Sequence, residues 1–186
     1  MKTVLVVLFF GVSVFAQDPA AVVAAESACG PTSTKFDVKP DATQHPTAQP
    51  DPGKALVYVV EDLGECPGCI ASNSFAGFFN TVDNAVTKVG MDGTWMGANR
   101  GSSYIFFATT PGGHHLCMNW QSRLQERSRA FAMANFTAED GKVYYFRERV
   151  FPGHSGDYVF ELDPVNSDEG KYLVAISPLS VSHPKK

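Results

Sequence analysis

The sequence predicts a mainly β protein, an antiparallel β-sandwich of about seven strands with an extended N-terminal arm and a short C-terminal helix. Three observations carry this. Short alternating or continuously apolar segments recur along the chain, Gly, Asp and Pro turns separate them, and aromatic residues reach 12%, mostly Phe and Tyr. Successive hairpins each present an apolar face, which a second sheet must cover.

The 186 residues are 44% hydrophobic and 18% charged, enough apolar material for one core but hardly for two. A formal net charge of −4 and a pI near 5.7 leave no broad cationic surface. Nucleic acid and polybasic membrane contacts are therefore not expected.

Residues 1–16 read as a secretory signal peptide: Lys2 precedes the run VLVVLFFGVSVFA, and Val14 and Ala16 suit cleavage after Ala16. The run is shorter than the ~20 apolar residues that span a bilayer. The mature chain is expected to be secreted or periplasmic, without a membrane span. Residues 17–53 form a proline-rich arm, in which Pro31, Pro40, Pro46, Pro50 and Pro52 deny a regular ladder. Within it KFDVK alternates and can add an edge strand.

Residues 54–186 are the β-sandwich domain. Its first strand, Lys54-Ala55-Leu56-Val57-Tyr58-Val59-Val60, is apolar on both faces, as a buried strand requires. Asp92-Gly93 between VTKVGM and TWMGA predicts a tight hairpin, because glycine supplies positive φ. SSYIFFATT places Ile105 and Phe107 on one face and Tyr104 and Phe106 on the other. Gly112 and Gly113 bend the chain before HHLCMNW, where Leu116, Met118 and Trp120 oppose His115, Cys117 and Asn119. AFAMANFTA and KVYYFRERV flank Glu139-Asp140-Gly141 as a second hairpin, and DYVFELDP is the last strand. Asp163-Pro164 is expected to open a helix with Ser167, Asp168 and Glu169 near its positive end, although Gly170 weakens it. The tail SHPKK reads as solvated.

GKALVYVVED, VGMDGTWMGANRGSSYIFFATTPGGHHLCMNW, FTAEDGKVYYFRERV and FELDPVNSDEGKYLV, in that order, resemble a bacterial exported family known only as a domain of unknown function. That family is itself similar to the PEGA-type β-sandwich modules of envelope proteins. The resemblance covers about Gly53 to Ala175. Its marks are the Lys54-Ala55 strand, the Asp92-Gly93 hairpin with Gly97, the Pro111-Gly112 turn before His114, and GKVYYF. It implies a non-catalytic envelope module, without catalytic residues or a cofactor. Cys66-Pro67-Gly68-Cys69 and the insert after it depart from the pattern.

Export places Cys29, Cys66, Cys69 and Cys117 in an oxidising compartment, where an even count favours disulfides. Four cysteines allow three connectivities. If SSYIFFATT neighbours HHLCMNW, the second face of both strands needs a cover, and the arm is the nearest free segment. That leads to an expected Cys29–Cys117 disulfide pinning the arm, with Cys66 and Cys69 paired in their own loop. The rival reading is a thiol-disulfide redox or metal-binding protein using Cys66 and Cys69. A thioredoxin-type site needs a good helix after Cys69, and ASNSFAGFFN is a poor one. A metal site would add His115 and Cys117, two apart on one strand.

No hydrolase or phosphate-loop motif is present, and Asp157, Glu161 and Asp163 read as a solvated strand edge. Arg123, Arg127, Arg129, Arg147 and Arg149 with Glu126 and Glu148 read as a surface charge network. The function expected from the sequence is an exported, non-catalytic binding or structural module of the cell envelope. Its partner would be an envelope protein or a glycan. Mass spectrometry of secreted material should find a mature chain beginning at Gln17; a retained Met1 would remove the basis for export.

Overall fold

A computed structural model of the chain describes residues 20, 23–24, 28–31, 33–62, 85–121, 131–152 and 158–186. The signal peptide, Cys66 and Cys69 with the segment after them, Glu126 and Arg123, Arg127 and Arg129, and Asp157 lie outside these residues.

Ten described strands form two sheets. They are β1 Phe36–Asp41, β2 Ala55–Glu61, β3 Val86–Met91, β4 Thr94–Arg100, β5 Tyr104–Thr109, β6 Gly112–Trp120, β7 Phe131–Ala138, β8 Val143–Pro152, β9 Tyr158–Val165 and β10 Leu179–Pro184. One helix, α1 Ser167–Ile176, precedes β10. The six-stranded sheet runs β1-β10-β5-β2-β8-β9 and the four-stranded sheet β4-β3-β6-β7. Neighbours are antiparallel except β2 with β8 and β10 with β5.

The alternation places side chains as the residues suggest. In β2, Val57 and Val59 enter the core between the sheets with Ile105, Leu116, Met118, Trp120 and Phe146. The other face of the six-stranded sheet carries Leu56, Tyr58, Val60 and Tyr104, covered by Leu173 and Val174 of α1 and by Ala48 of the arm. All of β2 is buried, as its doubly apolar sequence requires. KFDVK does form an edge strand, β1, which pairs with β10. Phe36 and Val38 of β1 pack on Ala98 in a third cluster.

Four expectations are corrected. Strands β7 and β8 are not a hairpin: β7 pairs with β6, while β8 lies between β2 and β9. The Glu139-Asp140-Gly141 turn instead carries the chain from one sheet to the other, held by Gly141 N–H to the Lys54 carbonyl at 2.9 Å. Strands β5 and β6 lie in different sheets, so the Tyr104 face is covered chiefly by α1. The tail is not wholly solvated, because Leu179–Pro184 is β10. Finally, Asp163 and Pro164 end β9, and the helix starts after Asn166, whose side chain accepts from the N–H groups of Asp168 and Glu169. An Asn cap satisfies orphan helix donors that a Pro start leaves open.

The Asp92-Gly93 hairpin is as expected, with φ of 50° and 81° at the two turn residues. Gly170 has the opposite role from the one its helix propensity suggests. A Cβ there would overlap the Tyr145 ring of β8, so glycine is what lets α1 lie against the sheet. Gly170→Ala gains up to ~1 kcal/mol of helix propensity, but overpacking costs roughly 1–3 kcal/mol. The expected outcome is a lower thermal midpoint, read by circular dichroism.

Candidate functional site

Four arrangements place polar or reactive side chains. The first is the arm. Cys29 and Cys117 form a disulfide, with Cα atoms 5.7 Å apart. Cys117 points away from the Leu116, Met118 and Trp120 face, and the bond draws the arm over the outer side of the four-stranded sheet. Gly90 makes room, since a Cβ there would collide with the Cys29 carbonyl. Trp95 lies against Gly30 and donates its indole N–H to the Pro31 carbonyl at 2.8 Å. Lys88, only 2% exposed, donates to the Thr34 carbonyl at 3.1 Å and lies 4.2 Å from the centre of the Trp95 ring. Burial, with the nearby charge of Lys35, pushes the Lys88 pKa down to about 8.

The second is His114, which joins the β3–β4 and β5–β6 turns. Its Nδ1 is 2.6 Å from Asp92 Oδ2 and its Nε2 is 2.7 Å from the Thr110 carbonyl. The backbone N–H of His115 donates to Asp92 Oδ1 at 2.8 Å. Burial opposes charge on the ring, but the Asp92 and Thr110 hydrogen bonds and the Asp92 charge outweigh it and raise the pKa. A ring with both nitrogens facing acceptors is a clasp. Both nitrogens are turned toward Asp92, Thr109 and Thr110 of the protein itself rather than toward a ligand.

The third lies inside the sandwich. Glu61 and Glu148 are both fully buried and are register partners on β2 and β8. From the opposite sheet, Thr87 Oγ1 donates to Glu61 at 2.8 Å, and Asn99 Nδ2 donates to Glu148 at 2.8 Å and to the Val59 carbonyl at 3.2 Å. Burial, only partly offset by Asn99, pushes the Glu148 pKa up to about 8. Glu148 therefore does not belong to the expected surface network. Arg147 instead pairs with Glu169 at 2.7 Å, and Arg149 with Glu161 at 2.7 Å and Asp163 at 3.1 Å. The last two acids thus have a cation partner that the sequence reading did not find.

The fourth is a groove of about 680 Å³ on the far side of the six-stranded sheet, between α1 and arm residues 45–49. Tyr58, Tyr104 and Tyr145 form its floor. Tyr58 stacks on Tyr145 with ring centres 5.2 Å apart and on Phe106 at 5.3 Å. The Tyr104 hydroxyl is buried and has no hydrogen-bond partner among the described residues. Burial raises the pKa of all three tyrosines, with neighbouring Tyr145 adding to the effect at Tyr58. They remain protonated donors at neutral pH.

Of the sequence-stated cysteines, the structure brings together Cys29 and Cys117, while Cys66 and Cys69 lie outside the described residues. Cys117 is bonded to Cys29 and so is not a thiolate for the metal set with Cys66, Cys69 and His115. No group of three or more His, Cys, Asp or Glu among the described residues could hold a metal ion. The groove was not foreseen, because it depends on an arm and a helix meeting over tyrosines from three strands. The buried carboxyl pair did have a signal: Glu61 and Glu148 each continue the inward face of their strands. Together the fold and these sites define a β-sandwich with a disulfide-latched arm and a tyrosine-floored groove. No protein-family model, curated protein or solved structure matches the chain.

The raised Glu148 pKa has a signed consequence. The folded state holds a proton that the unfolded chain releases near pH 4.5, so the stability this group contributes is complete below that pH, falls as pH rises from there to about 8, and is lost above. Glu148→Gln keeps the acceptor for Asn99 and removes the titration. Thermal melts from about pH 6 to about pH 9 should decline less steeply for the Gln variant than for the parent; equal slopes would contradict the assignment.

Proposed function

We propose that the chain is an exported, non-catalytic β-sandwich module that binds, or forms a structural part of, the bacterial cell envelope. The observation that carries this reading is the Cys29–Cys117 disulfide. Such bonds persist in oxidising compartments, and here the bond ties down the arm that would follow a cleaved signal peptide. The resemblance to exported envelope modules supports the same reading. So does the chemistry of the described titratable groups: His114 is engaged at both ring nitrogens, and Glu61 and Glu148 are fully buried. A catalytic acid or base needs reach to a substrate proton. The groove gives the module a place to bind, with an envelope protein or a glycan as the partner class.

Expression with the native leader, followed by fractionation and thiol titration, tests this. The expected result is protein in the periplasmic or extracellular fraction, with Cys29 and Cys117 in one linked peptide and no reactive thiol. Retention in the cytoplasm would overturn the export reading. A thiol pair that cycles between reduced and oxidised forms would favour redox chemistry at Cys66 and Cys69 instead.

A further inference from the structure

The groove is a built pocket. Its open volume of about 680 Å³ falls within the roughly 300–1,000 Å³ typical of small-molecule sites. Its three components come from separate parts of the chain, and Gly170 sets how closely the helical wall approaches the floor. The stacked tyrosines occupy one another's faces, which leaves ring edges and hydroxyls for an occupant. The Tyr58 hydroxyl is engaged by the Ala48 backbone. The Tyr104 hydroxyl is fully buried and unpartnered. A buried hydroxyl without a partner costs stability, and a ligand oxygen would recover it.

The lining also limits the ligand's charge. Among the described residues, Lys171 is its one permanently charged side chain and no carboxylate lines the groove. That composition favours an anion or a neutral molecule over a cation. Pro46, Ala48, Val143, Val174 and Ala175 form an apolar strip beside the tyrosine rings, which suits the C–H face of a sugar ring. His45, Thr47, Gln49 and Ser167 add polar groups that suit a ring bearing several hydroxyls.

We infer that this groove binds an acidic saccharide, with Tyr104 donating to a sugar oxygen and Lys171 meeting the carboxylate. The inference rests on the binding reading above and names its ligand class. Isothermal titration of the mature, oxidised protein with trigalacturonic acid, maltotriose and octanoate tests it. Trigalacturonic acid should bind saturably, and maltotriose about three- to five-fold more weakly, the factor an ion pair with a solvent-exposed lysine contributes. Lys171→Gln should remove most of that difference.

Tyr104→Phe gives a readout that a purely structural tyrosine would not. It should raise the thermal midpoint, by deleting an unpaired buried hydroxyl, and still weaken trigalacturonic acid binding about ten-fold. Absence of saturable binding to trigalacturonic acid, tighter binding of octanoate, or unchanged affinity in Tyr104→Phe would each overturn the inference. Fractionation reads export independently, so failure here leaves that reading standing or falling by its own test.

Discussion

Strand β2 is apolar on both faces, and every larger feature of the molecule follows from covering it. Val57 and Val59 are covered by the four-stranded sheet, which is the ordinary sandwich solution. Leu56, Tyr58 and Val60 on the reverse face would face water in a two-layer protein, so a third layer is needed. The helix α1 and residue Ala48 supply it. The strand is also central in its sheet, between β5 and β8, and its pairing with β8 is parallel. Parallel neighbours cannot be joined by a tight hairpin. The chain instead passes to the four-stranded sheet for β3 and β4, returns for β5, leaves again for β6 and β7, and comes back to β8 through the crossover turn after β7.

The arm makes three contacts along one path. Residues 28–31 and 33–34 cross the outer side of the four-stranded sheet, where the disulfide, Trp95 and Lys88 hold them. Residues 36–41 then join the edge of the six-stranded sheet as β1. Residues 45–49 reach the reverse face of that sheet and become a wall of the groove. Lys88 shows the energetics of this wrap. Its ammonium loses water under the arm and keeps only a carbonyl and an aromatic face, and its pKa falls to about 8 as a result. The covalent link at Cys29 offsets that cost by limiting the unfolded chain.

Much of the fold was legible because period-2 alternation reports each strand's faces directly. It placed Ile105 and Phe107 opposite Tyr104 and Phe106, and Leu116, Met118 and Trp120 opposite Cys117, as the structure has them. The Cys29–Cys117 pair followed from needing a cover for the Cys117 face. Alternation says nothing about which strand is whose neighbour, so the reading joined β7 to β8 and set β5 beside β6. The C-terminal helix was expected, but not that it covers the reverse face of the sheet: Gly170 reads locally as weakening a helix, and only the Tyr145 ring beneath it explains its presence. Glu148, flanked by Arg147 and Arg149, looked like surface charge. Its neighbours do point outward, to Glu169, Glu161 and Asp163, and a strand sends alternate residues to opposite faces.

That alternation gives the buried carboxyl pair a structural meaning. Thr87 and Asn99 tie Glu61 and Glu148 across the sandwich, so the two sheets are joined by directional bonds as well as by apolar contact. Apolar packing tolerates sliding better than a hydrogen bond does. A one-residue slip of β2 against its neighbours would turn Glu61 toward the α1 side and strip Thr87 of its acceptor, while sending Tyr58 into the core. The same slip would dismantle the tyrosine floor, since Tyr58, Tyr104 and Tyr145 meet only in the present register of β2 with β5 and β8. The polar interior that costs stability and the groove on the opposite face are thus fixed by one register.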